Sequence, residues 1–189
     1  MIPVRQALEA ISRRREDGVV VSNGTALRIW PSVSTRRDLD VDLHDCMDKA
    51  CLVGLGLSLA QQNRNVLVLD SDAALRASLG SLVTIGAASP KNLVHFLFEE
   101  APETHHGTPT IDYQALSRLG GYSRTFGFAN LEELVISLQE VLDETGPTFV
   151  ALKVGYEPNT PEQPTGTMSE SVAVVKKALD AQSVSSGEA

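Results

Sequence analysis

Three short loops contain the residues whose types and spacing could do chemistry in this chain. They lie at residues 23–25 (NGT), 71–74 (SDAA) and 99–107 (EEAPETHHG), and each follows a run of apolar residues typical of a strand. Backbone N–H groups in a turn from a strand to a helix bind phosphate. In an open sheet of parallel strands, ligands bind outside the carboxyl ends of the strands. These three segments are therefore the candidate ligand-binding loops.

The third loop also contains a pair of histidines, His105 and His106. Imidazole titrates near neutral pH, so either side chain could act as an acid or a base in catalysis. The alternative is a pair of solvated side chains in an exposed loop, without a catalytic role. The sequence leaves both interpretations open.

The elements that must position these loops alternate between short β-rich runs and longer segments of helical period. This alternation is typical of βα units and predicts an α/β fold, a three-layer arrangement with a mostly parallel sheet and helices on both faces. Strands are predicted at residues 18–22, 65–70, 92–98, 123–128 and 148–154. Helices are predicted at residues 4–15, 47–62, from 72 towards Pro90, 112–119, 130–144 and 168–181.

Composition limits the possible classes of protein. The 189 residues are 42% hydrophobic, which is enough for one core, and we expect a single domain over residues 1–180 with a flexible tail at 181–189. The formal net charge of -8, without a basic stripe, argues against a nucleic-acid partner. The chain has neither a signal-peptide pattern nor an apolar run near the ~18 residues of a membrane span. We therefore expect a soluble, cytoplasmic protein that does not contact membranes.

The two cysteines, Cys46 and Cys51, do not form a recognisable framework. Their spacing fits neither a disulfide scaffold nor a CxxC metal or redox pair. We expect buried thiols in a reducing compartment.

Three motifs in the middle of the chain follow one another at a distinctive spacing. They are LGSL at 79–82, PKNLV at 90–94 and PT at 109–110. In this order they resemble the diphosphate-binding domain of thiamine-diphosphate-dependent decarboxylases, in particular the phosphonopyruvate decarboxylases and the sulfopyruvate decarboxylase β subunits. The resemblance extends from about residue 4 to about residue 154. It implies the thiamine-diphosphate-binding fold and two cofactors, thiamine diphosphate and Mg²⁺.

The resemblance also implies a metal site. Aligning the chain on LGSL puts Asp72 at the family's metal-binding aspartate and Glu99 at its metal-binding asparagine. A backbone carbonyl near Ala101 would be the third ligand. Oxygen ligands suit a hard divalent cation, but Glu99 adds a negative charge beside the diphosphate. Without the family motif, Asp72 would be interpreted as a helix N-cap and Glu99 as a solvated surface carboxylate.

The turn around Asp72 departs from the family pattern Gly-Asp-Gly-Ser. Ser71 and Ala73 replace the two glycines, and Ala74 replaces the serine, all three at positions implied to contact the cofactor. Glycines let a backbone approach phosphate and adopt positive φ. The replacements therefore imply either a slightly different turn or a weaker site.

Two further segments are similar to cofactor contacts of the family. Residues 45–48 (DCMD) stand where the family has Gly-Ser-Met-Gly. The resemblance implies that Met47 wedges between the cofactor rings, beside Cys46, and that the Asp45 carbonyl accepts from the aminopyrimidine. A core position is the alternative for Met47. Gly24 and Thr25 are similar to the pair that touches the diphosphate.

The resemblance implies a partner, because enzymes of this class need a glutamate from a pyrimidine-binding domain and 189 residues leave no room for it. We expect a hetero-oligomer with an α-type subunit, contacted through the predicted helix at 47–62. The implied activity is decarboxylation of a small 2-oxoacid. The alternatives are a carboligase that uses the same cofactor and a scaffolding subunit that has lost cofactor binding.

Overall fold

The computed structural model describes residues 1–44, 46–100, 110–143, 145–155 and 166–186, with the backbone alone at Met47 and at residues 182–186. Six strands form one sheet in the order β2-β1-β3-β4-β6-β5, and every neighbouring pair is parallel. The strands are β1 (Val19–Ser22), β2 (Asp40–Asp42), β3 (Val66–Ser71), β4 (Leu93–Glu99), β5 (Arg124–Phe128) and β6 (Thr148–Lys153). The predicted parallel sheet is confirmed.

Helices cover both faces of the sheet, which gives the predicted three layers. They are α1 (Val4–Arg14), α2 (Gly24–Val33), α3 (Ala50–Ala60), α4 (Asp72–Ala77), α5 (Gly80–Ala88), α6 (Tyr113–Gly120), α7 (Leu131–Asp143) and α8 (Met168–Ser186). One core lies between the sheet and α1, α2 and α7, around Trp30 and Phe96. The other includes α3, α5, α6 and α8, around Leu82 and Phe149. Because both faces are buried, the inner strands are continuous apolar runs rather than alternating ones.

The structure differs from the sequence expectation at several elements. Helix α2 and strand β2 were not predicted, because α2 contains Pro31 and β2 has only three residues. A 3-10 turn at Met47–Lys49 precedes α3, where one continuous helix was expected. The single helix expected after residue 72 is two, α4 and α5, since the Ser78 N–H bonds to the Leu75 carbonyl and closes α4.

The carboxyl-terminal helix is longer than expected. Helix α8 continues to Ser186, past the predicted end at residue 181. Within the described residues, no helix combines the length and the hydropathy that a membrane span requires.

Candidate active-site cleft

A cleft of about 530 Å³ lies at the carboxyl ends of β1 and β3. The chain leaves β1 towards β2 on one side and later enters β3 on the other, so the cleft marks the point where the strand order reverses, which is the usual ligand site of an open α/β sheet. It is bordered by α2, α4, the turn before α3 and the end of β4. The described lining residues are Gly24, Thr25, Leu27, Arg28, Cys46, Asp48, Ser71, Asp72, Ala73, Ala74, Ala77 and Glu100.

Gly24 lets the turn after β1 approach the turn after β3. Its φ is +52°, a left-handed conformation that favours glycine. A Cβ atom at this position would lie 2.8 Å from both the Cβ and the Oγ of Ser71. Both observations require glycine at this edge of the cleft.

The turn between β3 and α4 presents Asp72 to the cleft. Ser71 is the N-cap of α4, and its side chain accepts a hydrogen bond of 3.3 Å from the Ala74 N–H. The alternative of Asp72 as N-cap is therefore wrong. Asp72 is the first residue of the helix and is only 3% exposed. The helix N-terminus stabilises a carboxylate at this position.

The two glutamates at the end of β4 lie in different surroundings. The Thr25 hydroxyl donates a hydrogen bond of 2.5 Å to the Glu100 carboxylate. Of the two, Glu100 is the one among the described cleft-lining residues. Glu99 is half-buried and pairs in register with Lys153 of β6.

Glu99 nevertheless belongs to the electrostatic surroundings of Asp72. Burial raises the pKa of Glu99; Lys153 opposes this shift, and the Asp72 carboxylate adds to it. Burial, with Asp72 as the next cause, also raises the pKa of Tyr113 to about 12. The Arg76 guanidinium lies 5.7 Å from the centre of the Tyr113 ring. With a pKa of about 12, Tyr113 stays protonated at neutral pH.

The cleft contains more acidic than basic groups. Asp48, Asp72 and Glu100 line it, and Arg28 is the basic residue among the described lining. Carboxylate oxygens are the donors that a hard divalent cation prefers, so the acidic lining residues are of the chemical type that could hold Mg²⁺. These carboxylates would repel an anionic ligand unless a bound cation or Arg28 offsets their charge.

Seven of the predicted site residues line this one cleft, although they come from three separate segments. They are Gly24, Thr25, Cys46, Ser71, Asp72, Ala73 and Ala74. Met47 begins the 3-10 turn beside them. Asp45, Ala101, His105 and His106 lie outside the described residues.

Five lining residues were not singled out from the sequence, although Asp48 and Glu100 lie within the candidate segments 45–48 and 99–107. They are Leu27, Arg28, Asp48, Ala77 and Glu100. Leu27 and Arg28 belong to the unpredicted helix α2, although a helix after the Asn23-Gly24-Thr25 turn would have placed Arg28 one turn from Gly24. The signal for Glu100 was its position next to Glu99, because successive residues of a strand point to opposite faces.

The two cysteines differ in exposure. Cys51 is 1% exposed, as predicted, whereas Cys46 is half-buried at the cleft. Burial raises the pKa of the Cys51 thiol, and the neighbouring Asp70 carboxylate adds to the shift.

The fold is that of the thiamine-diphosphate-dependent enzymes. A crystal structure from Mycobacterium smegmatis, assigned to this class, superposes with a TM-score of 0.67 at 16% sequence identity, over 82% of this chain and 32% of that one. No protein-family model matches the chain.

Curated relatives give a closer assignment. Phosphonopyruvate decarboxylase from Streptomyces viridochromogenes is 31% identical over 145 residues, 74% of this chain and 36% of the relative. Sulfopyruvate decarboxylase subunit β from Methanothermobacter thermautotrophicus is 31% identical over 155 residues, 79% of this chain and 80% of the relative. The chain therefore belongs to the family of the phosphonopyruvate and sulfopyruvate decarboxylases. It spans about a third of the length of the phosphonopyruvate decarboxylases it matches.

Proposed function

We propose that this chain is the diphosphate-binding subunit of a thiamine-diphosphate- and Mg²⁺-dependent decarboxylase of a small 2-oxoacid, of the sulfopyruvate or phosphonopyruvate type. One observation carries the proposal: Asp72, which the resemblance aligns with the family's metal-binding aspartate, lies with Gly24 and Thr25 in a single cleft at the carboxyl ends of β1 and β3. The Asp72 carboxylate offers an oxygen donor to a metal, and backbone N–H groups at a helix N-terminus can bind the diphosphate.

The altered turn has no backbone strain that would oppose cofactor binding. Among the described residues, the non-glycine residues with positive φ are Glu16 and Ser89. Ser71 has an extended conformation with a φ of -93°, so neither Ser71 nor Ala73 needs the freedom of the glycine it replaces. The Ser71 hydroxyl caps α4 instead. The turn therefore accommodates Ser71 and Ala73 without backbone strain.

Several residues of the chain would hold the cofactor. Asp72 would bind Mg²⁺ together with a carboxylate from the end of β4, and Glu100 is the better candidate because it lines the cleft. Backbone N–H groups at the start of α2 and the Arg28 guanidinium would bind the diphosphate oxygens. The roles predicted for Asp45, Met47, Glu99 and Ala101 remain proposals.

The cofactor and the protein chain have different roles in the proposed reaction. Thiamine diphosphate, when bound, supplies the electron sink for loss of carbon dioxide from a 2-oxoacid. The chain binds and orients the cofactor, and the nearly buried Asp72 keeps a fixed position at the start of a helix. By the family resemblance, activity would need the glutamate of a separate pyrimidine-binding subunit, so we expect a hetero-oligomer. We place it in the cytoplasm.

The exposed surface of α3 and α5 is a candidate contact surface for a partner subunit. It lies on the face of the sheet that also carries α6 and α8. Neither helix contains a charged residue, and Leu52, Leu59 and Val83 are 38%, 50% and 61% exposed. Exposed apolar side chains on adjacent uncharged helices mark an interaction surface.

Calorimetric titration tests the proposal. The chain, assembled with an α-type subunit, is titrated with thiamine diphosphate in the presence and absence of Mg²⁺. We expect Mg²⁺-dependent binding that Asp72→Asn abolishes, followed by release of carbon dioxide from sulfopyruvate or phosphonopyruvate. An assembled complex that binds no cofactor would support the scaffolding alternative instead. A ligated product in place of an aldehyde would identify a carboligase.

A further inference from the structure

A buried polar cluster lies directly beneath the cleft. It consists of Asn23, Cys51, Asp70, His95 and Tyr122, each no more than 4% exposed. The Asp70 carboxylate is its centre. One carboxylate oxygen accepts a hydrogen bond of 2.5 Å from the Asn23 amide. The other lies 2.9 Å from the Cys51 sulfur and 3.2 Å from His95 Nε2, and His95 Nδ1 lies 3.0 Å from the Tyr122 hydroxyl.

Asn23 connects this cluster to the turn that carries Asp72. Its side-chain oxygen accepts a hydrogen bond of 3.0 Å from the Ser71 N–H, while its NH₂ group donates to Asp70. Its backbone N–H donates to the Leu69 carbonyl, and its carbonyl accepts from the Leu27 N–H in the first turn of α2. One residue thus joins the ends of β1 and β3 to the start of α2.

The side chain of Asn23 replaces a missing strand partner. Pairing of β1 with β3 ends at Ser22 and Leu69, because the chain turns into α2 at Gly24. Strand β3 continues to Ser71, whose N–H therefore lies beyond the end of the ladder with β1. A partly buried N–H without an acceptor is costly, and the Asn23 amide oxygen supplies the acceptor for Ser71.

The orientation of the amide is fixed by its two neighbours. A flipped amide would put its NH₂ group against the Ser71 N–H and its oxygen against the Asp70 carboxylate, two repulsive contacts. Asp70 is itself held from the far side by Cys51 and His95. The hydrogen-bonded chain therefore holds the Ser71 backbone from inside the core.

We propose that Asn23 is a positioning residue of the candidate metal site: its side chain fixes the turn between β3 and α4, and thereby the Asp72 carboxylate. The metal-binding consequence depends on the proposed function, whereas the fixing of the turn does not. Asn23 therefore acts through its hydrogen bonds to Asp70 and to the Ser71 N–H.

Asn92 offers a matched control at the amino ends of the strands, opposite to the cleft. Its side chain accepts from the Ser58 hydroxyl at 2.6 Å and donates to the Gln61 and Arg64 carbonyls at 2.9 and 2.7 Å. It precedes β4, so it is far from the cleft along the strands. Loss of either asparagine side chain removes hydrogen bonds that join two segments of the fold.

The test compares Asn23→Ala with Asn92→Ala in the full chain. Amide hydrogen exchange of residues 71–77 is measured by mass spectrometry, and Mn²⁺ affinity with thiamine diphosphate is measured on the assembled complex. We expect Asn23→Ala to accelerate exchange in this segment about 10-fold and to weaken Mn²⁺ binding about 10-fold, whereas Asn92→Ala lowers the melting temperature and changes neither value.

Unchanged exchange at residues 71–77 in Asn23→Ala, or an equal acceleration in Asn92→Ala, would overturn the proposal. If Asn23→Ala does not fold, Asn23→Ser provides the same comparison, since its short side chain cannot reach both Asp70 and the Ser71 N–H. A wild-type complex that binds no Mn²⁺ would count against the proposed function alone, because the exchange measurement decides the role of Asn23.

Discussion

The hydroxyl of Thr25 and the carboxylate of Glu100 form a hydrogen bond of 2.5 Å that joins the first turn of α2 to the end of β4. This contact holds Glu100 at the cleft. Its neighbour Glu99 pairs in register with Lys153. Single substitutions of Glu99 and of Glu100 can therefore distinguish the roles of the two carboxylates.

The first prediction assigns the second metal-binding carboxylate. Glu100→Gln removes a charged oxygen donor from the cleft and should weaken Mn²⁺ binding to the assembled complex about 10-fold. Glu99→Gln should have a smaller effect, since Glu100 lines the cleft and Glu99 acts on Asp72 through its charge. Calorimetric titration of both variants provides the measurement. A larger loss in Glu99→Gln would assign the ligand to Glu99, as the sequence alignment predicts.

The second prediction concerns the close approach at Gly24. Gly24→Ala adds a Cβ atom at a φ of +52° and 2.8 Å from the Ser71 side chain, so it should lower the free energy of unfolding by about 1–3 kcal/mol. Gly56→Ala is the control, because a Cβ atom there has no neighbour within 4 Å and Gly56 lies within helix α3. That variant should gain about 0.5–1 kcal/mol. Urea unfolding of both proteins measures the difference, and equal effects would contradict the steric argument.

The third prediction concerns pH. Burial raises the pKa of Glu99 above its usual value of 4.5, so the folded state binds this proton more tightly than the unfolded state does. The resulting stabilisation is complete at pH values below the unfolded pKa and is lost as the pH rises through the folded pKa. The stability of Glu99→Gln minus that of wild type should therefore be larger at pH 7 than at pH 4. Urea unfolding at both pH values tests this, and a difference that does not vary with pH would be inconsistent with it.

The sequence predicts the inner strands well because burial on both faces makes them continuous apolar runs. The observed β3 and β4 begin and end within a residue of the prediction. Strand β2, with sequence DVD, has no such signal. Its buried Asp40 is compensated by the buried Arg15 and by Arg37, contacts that follow only from the fold.

The candidate site, like the sheet, has parts that the sequence predicts and parts that it does not. The turns at Gly24 and Asp72 were predictable, since strand ends define the ligand edge of a parallel sheet. Arg28 was missed with its helix, and Glu100 was missed because the direction of a side chain at a strand end depends on register. The role of Asn23 depends on where β1 stops pairing with β3, which the sequence does not specify.

The last prediction concerns the partner surface. Leu59→Lys and Val83→Lys introduce charges on α3 and α5, at side chains that are 50% and 61% exposed, so the fold of the chain should survive while assembly with an α-type subunit weakens at least about 10-fold. Ile136→Lys is the matched control, because Ile136 is 81% exposed on α7, which covers the other face of the sheet. Sedimentation velocity of the mixed subunits measures assembly, and circular dichroism checks the fold. Assembly that is lost in Ile136→Lys and retained in the other two variants would place the partner on the opposite face.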